Sequence, residues 1–170
     1  SSRGLGDVYK RQVITGATNG IGRAAAIELA NENPKLVFTY RNKDLADSLI
    51  DEIREASPNV EIYSVFCDFA NQESIRKCAT EINNLSSTID ILINNAGVVN
   101  TSYHETDQGI ENTFAVNHLG YFLFTNLLLE KMKGETETRI INVSSAAHGF
   151  IKEMQWEDIN FKNNFGQGLK

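Results

Sequence analysis

Proline and cysteine are scarce in this chain, at two residues each in 170, and tryptophan occurs once. Cys67 and Cys78 form no Cys-x-x-Cys pair, so neither a disulfide framework nor a zinc site can be built from them. They read as buried thiols of a reducing compartment. No stretch approaches the roughly 20 apolar residues of a membrane-spanning helix. Positive charge is also short: 16 Lys plus Arg stand against 22 Asp plus Glu, a net charge of −6. That balance leaves no electrostatic footprint for nucleic acid or an anionic membrane surface. His104, His118 and His148 lack ligand spacing, so no metal site is expected; they read as packing or surface residues, with His148 able to border a substrate pocket. The two prolines, Pro34 and Pro58, fall in helix-to-strand connections, where a missing N–H does no harm. With 41% hydrophobic residues, the chain has the composition of one α/β-sized domain.

Apolar periodicity is absent from Ser1 to Gln12 (SSRGLGDVYKRQ) and begins at Val13. This opening resembles the translation of a sequencing adapter, and residues 1–12 are expected to be an artefact outside the fold. The domain is then residues 13–170, incomplete at both ends. Val8 and Tyr9 could still imitate part of a first strand, being β-compatible.

From Val13 onward, short apolar runs alternate with helical patterns, the signature of βαβ units on a parallel sheet. Strands are expected to end at Val13-Ile14 and to lie near Leu36–Tyr40, Val60–Phe66, Ile89–Ile93 and Arg139–Val143. They read as uniformly apolar, as for strands buried on both faces. Helices are expected near Ile21–Asn31, Lys43–Ala56, Gln72–Asn84 and Gln108–Lys133. Ile75, Ala79 and Ile82 show the three- and four-residue spacing that lets one stripe pack on a sheet. The predicted fold is a Rossmann-type, doubly wound α/β sheet, truncated after its fifth strand.

Four motifs carry chemistry. Thr15-Gly16-Ala17-Thr18-Asn19-Gly20-Ile21-Gly22 follows the first strand and opens a helix, which suits a phosphate-cradling turn. Gly16 permits the tight turn, Gly20 the close approach of a pyrophosphate, and Gly22 close helix–strand contact. Asn94-Asn95-Ala96-Gly97 follows the fourth strand, Val116-Asn117-His118-Leu119-Gly120 sits inside the fourth helix, and Asn142-Val143-Ser144-Ser145 ends the fifth strand. In an open parallel sheet, the carboxyl ends of the strands face one crevice, so these signals converge. Taken singly, each has a plainer reading: Ser144 and Ser145 as turn residues, Asn117 as a polar residue facing solvent, Asp68 as a helix cap. Arg41, directly after the second strand, is where an acid would bind the ribose 2′-hydroxyl of NAD. An arginine there accommodates the 2′-phosphate of NADP, so NADP is favoured over NAD.

These motifs, with Arg139–His148 and Trp156–Asn160, resemble the short-chain dehydrogenase/reductase family and its retinol dehydrogenase-like branch, over nearly all of Val13 to Lys170. The resemblance implies that Ser145 hydrogen-bonds the substrate oxygen, and that Asn117 holds a water in a proton relay and fixes the geometry. It implies cofactor contacts from Thr15, Gly16, Thr18, Asn19, Gly20, Ile21, Gly22, Arg41, Asp68, Phe69, Asn95, Ala96 and Gly97. Asp68 and Phe69 would lie beside the adenine ring. The implied activity is NADP-dependent hydride transfer with an aldehyde, ketone or alcohol, and the branch points to a retinoid- or lipid-like one. The implied partner is that small-molecule substrate, and a second subunit is left open, since the long fourth helix could face a subunit or pack on the sheet. Membrane association would come only through a segment preceding Val13, which leaves the cytoplasm and the cytoplasm-facing endoplasmic reticulum membrane both open.

The family's proton donor is a tyrosine in a Tyr-x-x-x-Lys motif downstream of the serine, and no tyrosine follows Tyr121 here. Aligning Trp156–Asn160 with the branch's insertion puts that tyrosine near Lys170, read as a cut end. The 170 residues alone are therefore expected to be inactive, and their fifth strand to form an aggregation-prone apolar edge. The alternative is a non-catalytic NAD(P)-binding regulatory or scaffold protein. A nucleotide-sugar epimerase is disfavoured by the glycine spacing and by Asn94–Gly97.

Overall fold

A computed structural model describes residues 10–32, 34–133, 137–150, 153–163 and 165. Val8, Tyr9 and Lys170 lie outside the described residues. Five parallel strands form one sheet in the order β3-β2-β1-β4-β5: β1 (Arg11–Ile14), β2 (Lys35–Tyr40), β3 (Glu61–Phe66), β4 (Ile91–Asn94) and β5 (Arg139–Asn142). The order reverses between β1 and β4, so the carboxyl ends of these two strands diverge around a crevice. The doubly wound α/β fold is the one the sequence pattern predicts.

Alternation along β1 and β2 assigns side chains to two layers. Val13 and Val37 join Ile75, Ala79 and Ile82 of α3 (Gln72–Leu85) and Phe124 and Leu128 of α5 (Gly120–Leu128). Ile14, Leu36 and Phe38 face the other way, onto Ala26 and Ala30 of α1 (Gly20–Ala30) and Ala46, Leu49 and Ile53 of α2 (Lys43–Ala56). Each fully buried Leu, Ile or Phe in these layers contributes about 1.5–3 kcal/mol.

Several expectations are corrected. Arg11 and Gln12, expected outside the fold, form the first half of β1, because parallel pairing draws on the backbone whatever the side chain. The Arg11 side chain is tied to Asp90 at 3.2 Å. The predicted helix 108–133 begins only at α4 (Asn112–Phe114). Ahead of it, Gly109 takes φ +72° in a turn, and the Glu111 carboxylate accepts the N–H groups of Thr113 (2.8 Å) and Phe114 (2.7 Å). The helix then widens into a π-helical turn at Ala115–Leu119 before α5, and tightens to a 3-10 turn at Leu129–Met132. Nor are all strands buried on both faces: every residue of β5 is exposed, with Ile140 at 41% and Ile141 at 44%, because β5 is an edge of the sheet. In β3, Glu61 and Phe66 are exposed as well.

Candidate functional site

At the carboxyl ends of β1, β2, β3 and β4 lies a cleft of about 410 Å³. Gly16, Thr18, Asn19, Gly20, Ile21 and Gly22 line one side, Arg41 stands at the β2 end, Asp68 and Phe69 at the β3 end, and Asn95, Ala96 and Gly97 at the β4 end. All the expected cofactor residues except Thr15 therefore meet in one space.

Thr15 is fully buried beneath it and acts as a pin. Its Oγ1 accepts the backbone N–H groups of Asn95 (2.9 Å) and Ala96 (3.0 Å), while the Asn95 amide donates back to the carbonyls of Thr15 (2.9 Å) and Gly16 (3.1 Å). The glycine turn and the β4 loop are thereby locked together. The approach is so close that a Cβ on Gly16, at φ +65°, would fall 2.6 Å from the Ala96 Cα; one on Gly22 would fall 2.4 Å from the Gly16 carbonyl oxygen. Gly20 is different. It too has positive φ, at +54°, yet a Cβ there would meet nothing within 4 Å. Its side of the turn faces open space.

The start of α1 has an anion-receptive character that its neighbours lack. The Asn42 side chain caps α2 by accepting the Leu45 N–H at 3.2 Å, and Asn71 caps α3 by accepting the Ser74 N–H at 2.9 Å. Both helices carry an acid in the first turn, Asp44 and Glu73. The Asn19 side chain caps nothing, and the first turn of α1 holds no acid. Its leading N–H groups and the positive end of its dipole are thus directed at the cleft with no protein anion to answer them.

On the opposite wall, the Asp68 carboxylate accepts the Ala70 N–H at 3.0 Å and the Asp68 N–H donates to Ser74 Oγ at 2.8 Å. The cap of α3 is thus Asn71, not Asp68. The Phe69 ring packs edge-on against Tyr121 (5.8 Å) and Phe124 (5.4 Å), and Gly120 makes room for it, since a Cβ there would lie 3.0 Å from Phe69 Cδ1. Burial pushes the Tyr121 phenol up to about 12. Hydrogen bonding to Cys67, then burial, pushes the Cys78 thiol up and keeps it protonated.

The two expected catalytic residues stand differently. Asn117, on the π-helical turn, is exposed as the plainer reading has it, but its side chain is held: its Oδ1 accepts the Val98 N–H and its Nδ2 donates to the Val98 carbonyl, both at 2.9 Å. With both polar ends of its side chain engaged, Asn117 fixes the loop that forms the cleft wall. Ser145 lies beyond the end of β5, exposed and outside the cleft lining, which reaches only Val143. Its Oγ accepts the Ala147 N–H at 3.2 Å, and its carbonyl accepts the His148 N–H at 3.3 Å. That is the geometry of a turn residue. The lining also includes Val116 and Val143 from the third and fourth motifs, and Thr39, Tyr40, Asn42, Leu45, Cys67 and Val98, which the sequence pattern does not single out. Most are chain neighbours of residues it did select, and strand-end position was the signal for Tyr40 and Cys67. Among the described residues no group of three or more His, Cys, Asp or Glu could hold a metal ion.

Residues 10–156 match the short chain dehydrogenase family. The chain belongs to that family. Within it the chain is retinol dehydrogenase-like, being 39% identical over 153 residues to Retinol dehydrogenase 13 of Homo sapiens, which covers 90% of this chain and 46% of that protein. The chain thus spans about half the length of the curated relatives it matches. Among solved structures, a metagenomic short-chain oxidoreductase in complex with NADP superposes with a TM-score of 0.71 at 28% identity, covering 81% of this chain and 62% of that one. A putative D-mannonate oxidoreductase from Haemophilus influenza with bound NAD gives 0.68 at 27% identity, covering 81% and 55%. The first of these solved structures holds NADP and the second NAD.

Proposed function

We propose that the cleft binds NADP(H) and that the protein this chain belongs to is an oxidoreductase acting on an aldehyde, ketone or alcohol, with a retinoid- or lipid-like substrate. The carrying observation is the uncapped, acid-free start of α1 beside the open face of Gly20, which suits a pyrophosphate. A nicotinamide cofactor held in the cleft would supply hydride exchange with the carbonyl carbon. Thr15 and Asn95 hold the cradle shut, Phe69 and Asp68 flank the adenine end, and Asn117 fixes the wall through Val98. Ser145, whose Oγ accepts the Ala147 N–H and so keeps its own proton to donate, offers that O–H to the substrate oxygen.

Arg41 selects the cofactor. It is exposed on the rim at the end of β2, and among the described residues no ion pair engages it, whereas Arg23 pairs with Glu52 and Lys43 with Asp47. A charged hydrogen bond of this kind is worth about 1.5–3 kcal/mol, roughly 10–100-fold in affinity. Titrating NADPH and NADH into the chain and into Arg41→Ala tests the choice. NADPH affinity should fall by that factor while NADH affinity holds, and equal losses would reject Arg41 as the selector.

One observation favours a second reading, a non-catalytic cofactor-binding protein: Ser145 stands outside the cleft lining, in a turn where its Oγ accepts the Ala147 N–H. It predicts NADPH binding with no effect of Ser145→Ala on aldehyde turnover by the whole protein. The two free, buried cysteines support a reducing compartment, and no helix among the described residues is long and apolar enough to cross a membrane.

A further inference from the structure

Trp156–Asn160, one of the stretches that carries the family likeness, takes no part in the cleft described above. It belongs to a strap, residues 153–163, that follows Ser145 beyond the carboxyl end of β5 and is fastened to the loop beyond the carboxyl end of β4. The strap thus lies at the end of the sheet where the cleft opens.

Asn160 makes the hydrogen bonds of the junction. Asn160 Oδ1 accepts the Glu111 N–H at 3.2 Å, and Asn160 Nδ2 donates to the Gly109 carbonyl at 3.1 Å. Glu111 is the residue whose carboxylate caps α4, so the clamp acts on the start of the helix that carries Asn117. The strap is stiffened from within. Asp158 accepts the N–H groups of Lys162 (2.9 Å) and Asn163 (3.1 Å) on its carboxylate and that of Phe161 (2.8 Å) on its carbonyl. Phe161 takes φ +53° in that turn, a conformation a bulky residue keeps only where its surroundings over-determine it. Around the clamp, Lys162 Nζ pairs with Glu105 at 2.7 Å, and Tyr103 stands edge-on to Phe165 at 5.7 Å.

We propose that Asn160 is a positioning residue of the site: it pins the strap behind Ser145 to the helix that carries Asn117, and so sets where the two groups stand relative to each other. The proposal rests on the nicotinamide reading of the cleft. An asparagine suits the task because a backbone N–H and a backbone carbonyl must be met at once, which needs an acceptor and a donor on one short side chain. Aspartate keeps the acceptor alone, and alanine keeps neither.

The test uses the full 170-residue chain and its single tryptophan, Trp156, four residues before Asn160 and 73% exposed. Indole emission overlaps the absorption of reduced nicotinamide, so nicotinamide emission sensitised through Trp156 reads where the strap stands relative to the cleft. NADPH is titrated into the parent chain, Asn160→Ala and Asn160→Asp, with affinity read by exciting the nicotinamide directly. The expected result is the same affinity in all three. At saturation, sensitised emission should fall by half or more in Asn160→Ala and be partly restored in Asn160→Asp. Equal sensitised emission in all three overturns the proposal. Trp156 anisotropy without NADPH gives an independent reading: a drop in Asn160→Ala supports the clamp, and no change overturns it. Should NADPH fail to bind the parent chain, the cofactor reading fails, and the anisotropy still decides the clamp.

Discussion

Asn117 and Val98, 19 residues apart, are joined by two hydrogen bonds of 2.9 Å, one in each direction between side-chain amide and backbone. The pair couples the π-helical turn to the loop after β4 and so holds the wall of the cleft. A hydrogen bond contributes about 0.5–1.5 kcal/mol net. Asn117→Ala should therefore cost about 1–3 kcal/mol, read as a lower urea midpoint with an unchanged slope, and should weaken NADPH binding. A variant as stable as the parent would show that the wall does not depend on Asn117.

Gln12 predicts a change in the opposite direction. It is 4% exposed, lies in register with Leu36 and Ile91, and buries an Oε1 that has no hydrogen-bond partner. Leaving such an acceptor unmet costs about 1–3 kcal/mol. Gln12→Val removes it and places a β-branched residue in a buried strand. Thermal unfolding should shift upward. A downward shift would show that the buried Gln12 side chain contributes more to the core than the valine that replaces it.

Tyr121 sets a pH dependence. Burial holds its folded value at about 12 against an ordinary 10.0, so the folded protein keeps the proton that the unfolded chain gives up first. Its contribution is complete below pH 10, erodes as pH rises from there toward 12, and is lost above. Tyr121→Phe retains the ring against Phe69 and removes the titration. The alkaline decline in stability between these limits should be shallower in Tyr121→Phe than in the parent. Identical declines would place the cause at another group.

Much of this was legible in the sequence because it depends on near neighbours. Strand runs such as Leu36–Tyr40, the helix at Lys43–Ala56 and the glycine turn follow from local pattern, and the structure brings the expected cleft residues together. What the pattern missed depends on distant contacts. The π-helical turn accompanies the bond from Asn117 to Val98, and the late start of α4 follows from the Glu111 cap and the Gly109 turn, which no hydrophobic period records.

The most direct measurement is an NADPH titration of the chain beside its Gly20→Ala and Gly16→Ala variants, with unfolding followed in parallel. At Gly20 a Cβ meets no protein atom within 4 Å, so the fold should lose only the about 1–2 kcal/mol of a left-handed alanine. The same Cβ enters the space assigned to the pyrophosphate, so NADPH binding should be abolished in a folded protein. At Gly16 the Cβ strikes Ala96, and stability itself should fall further. A parent chain that binds NADPH at one saturable site, with Gly20→Ala folded but blind to it, is the predicted result. A folded parent chain that does not bind NADPH, or a Gly20→Ala that binds it as well as the parent, would contradict the assignment of the cleft.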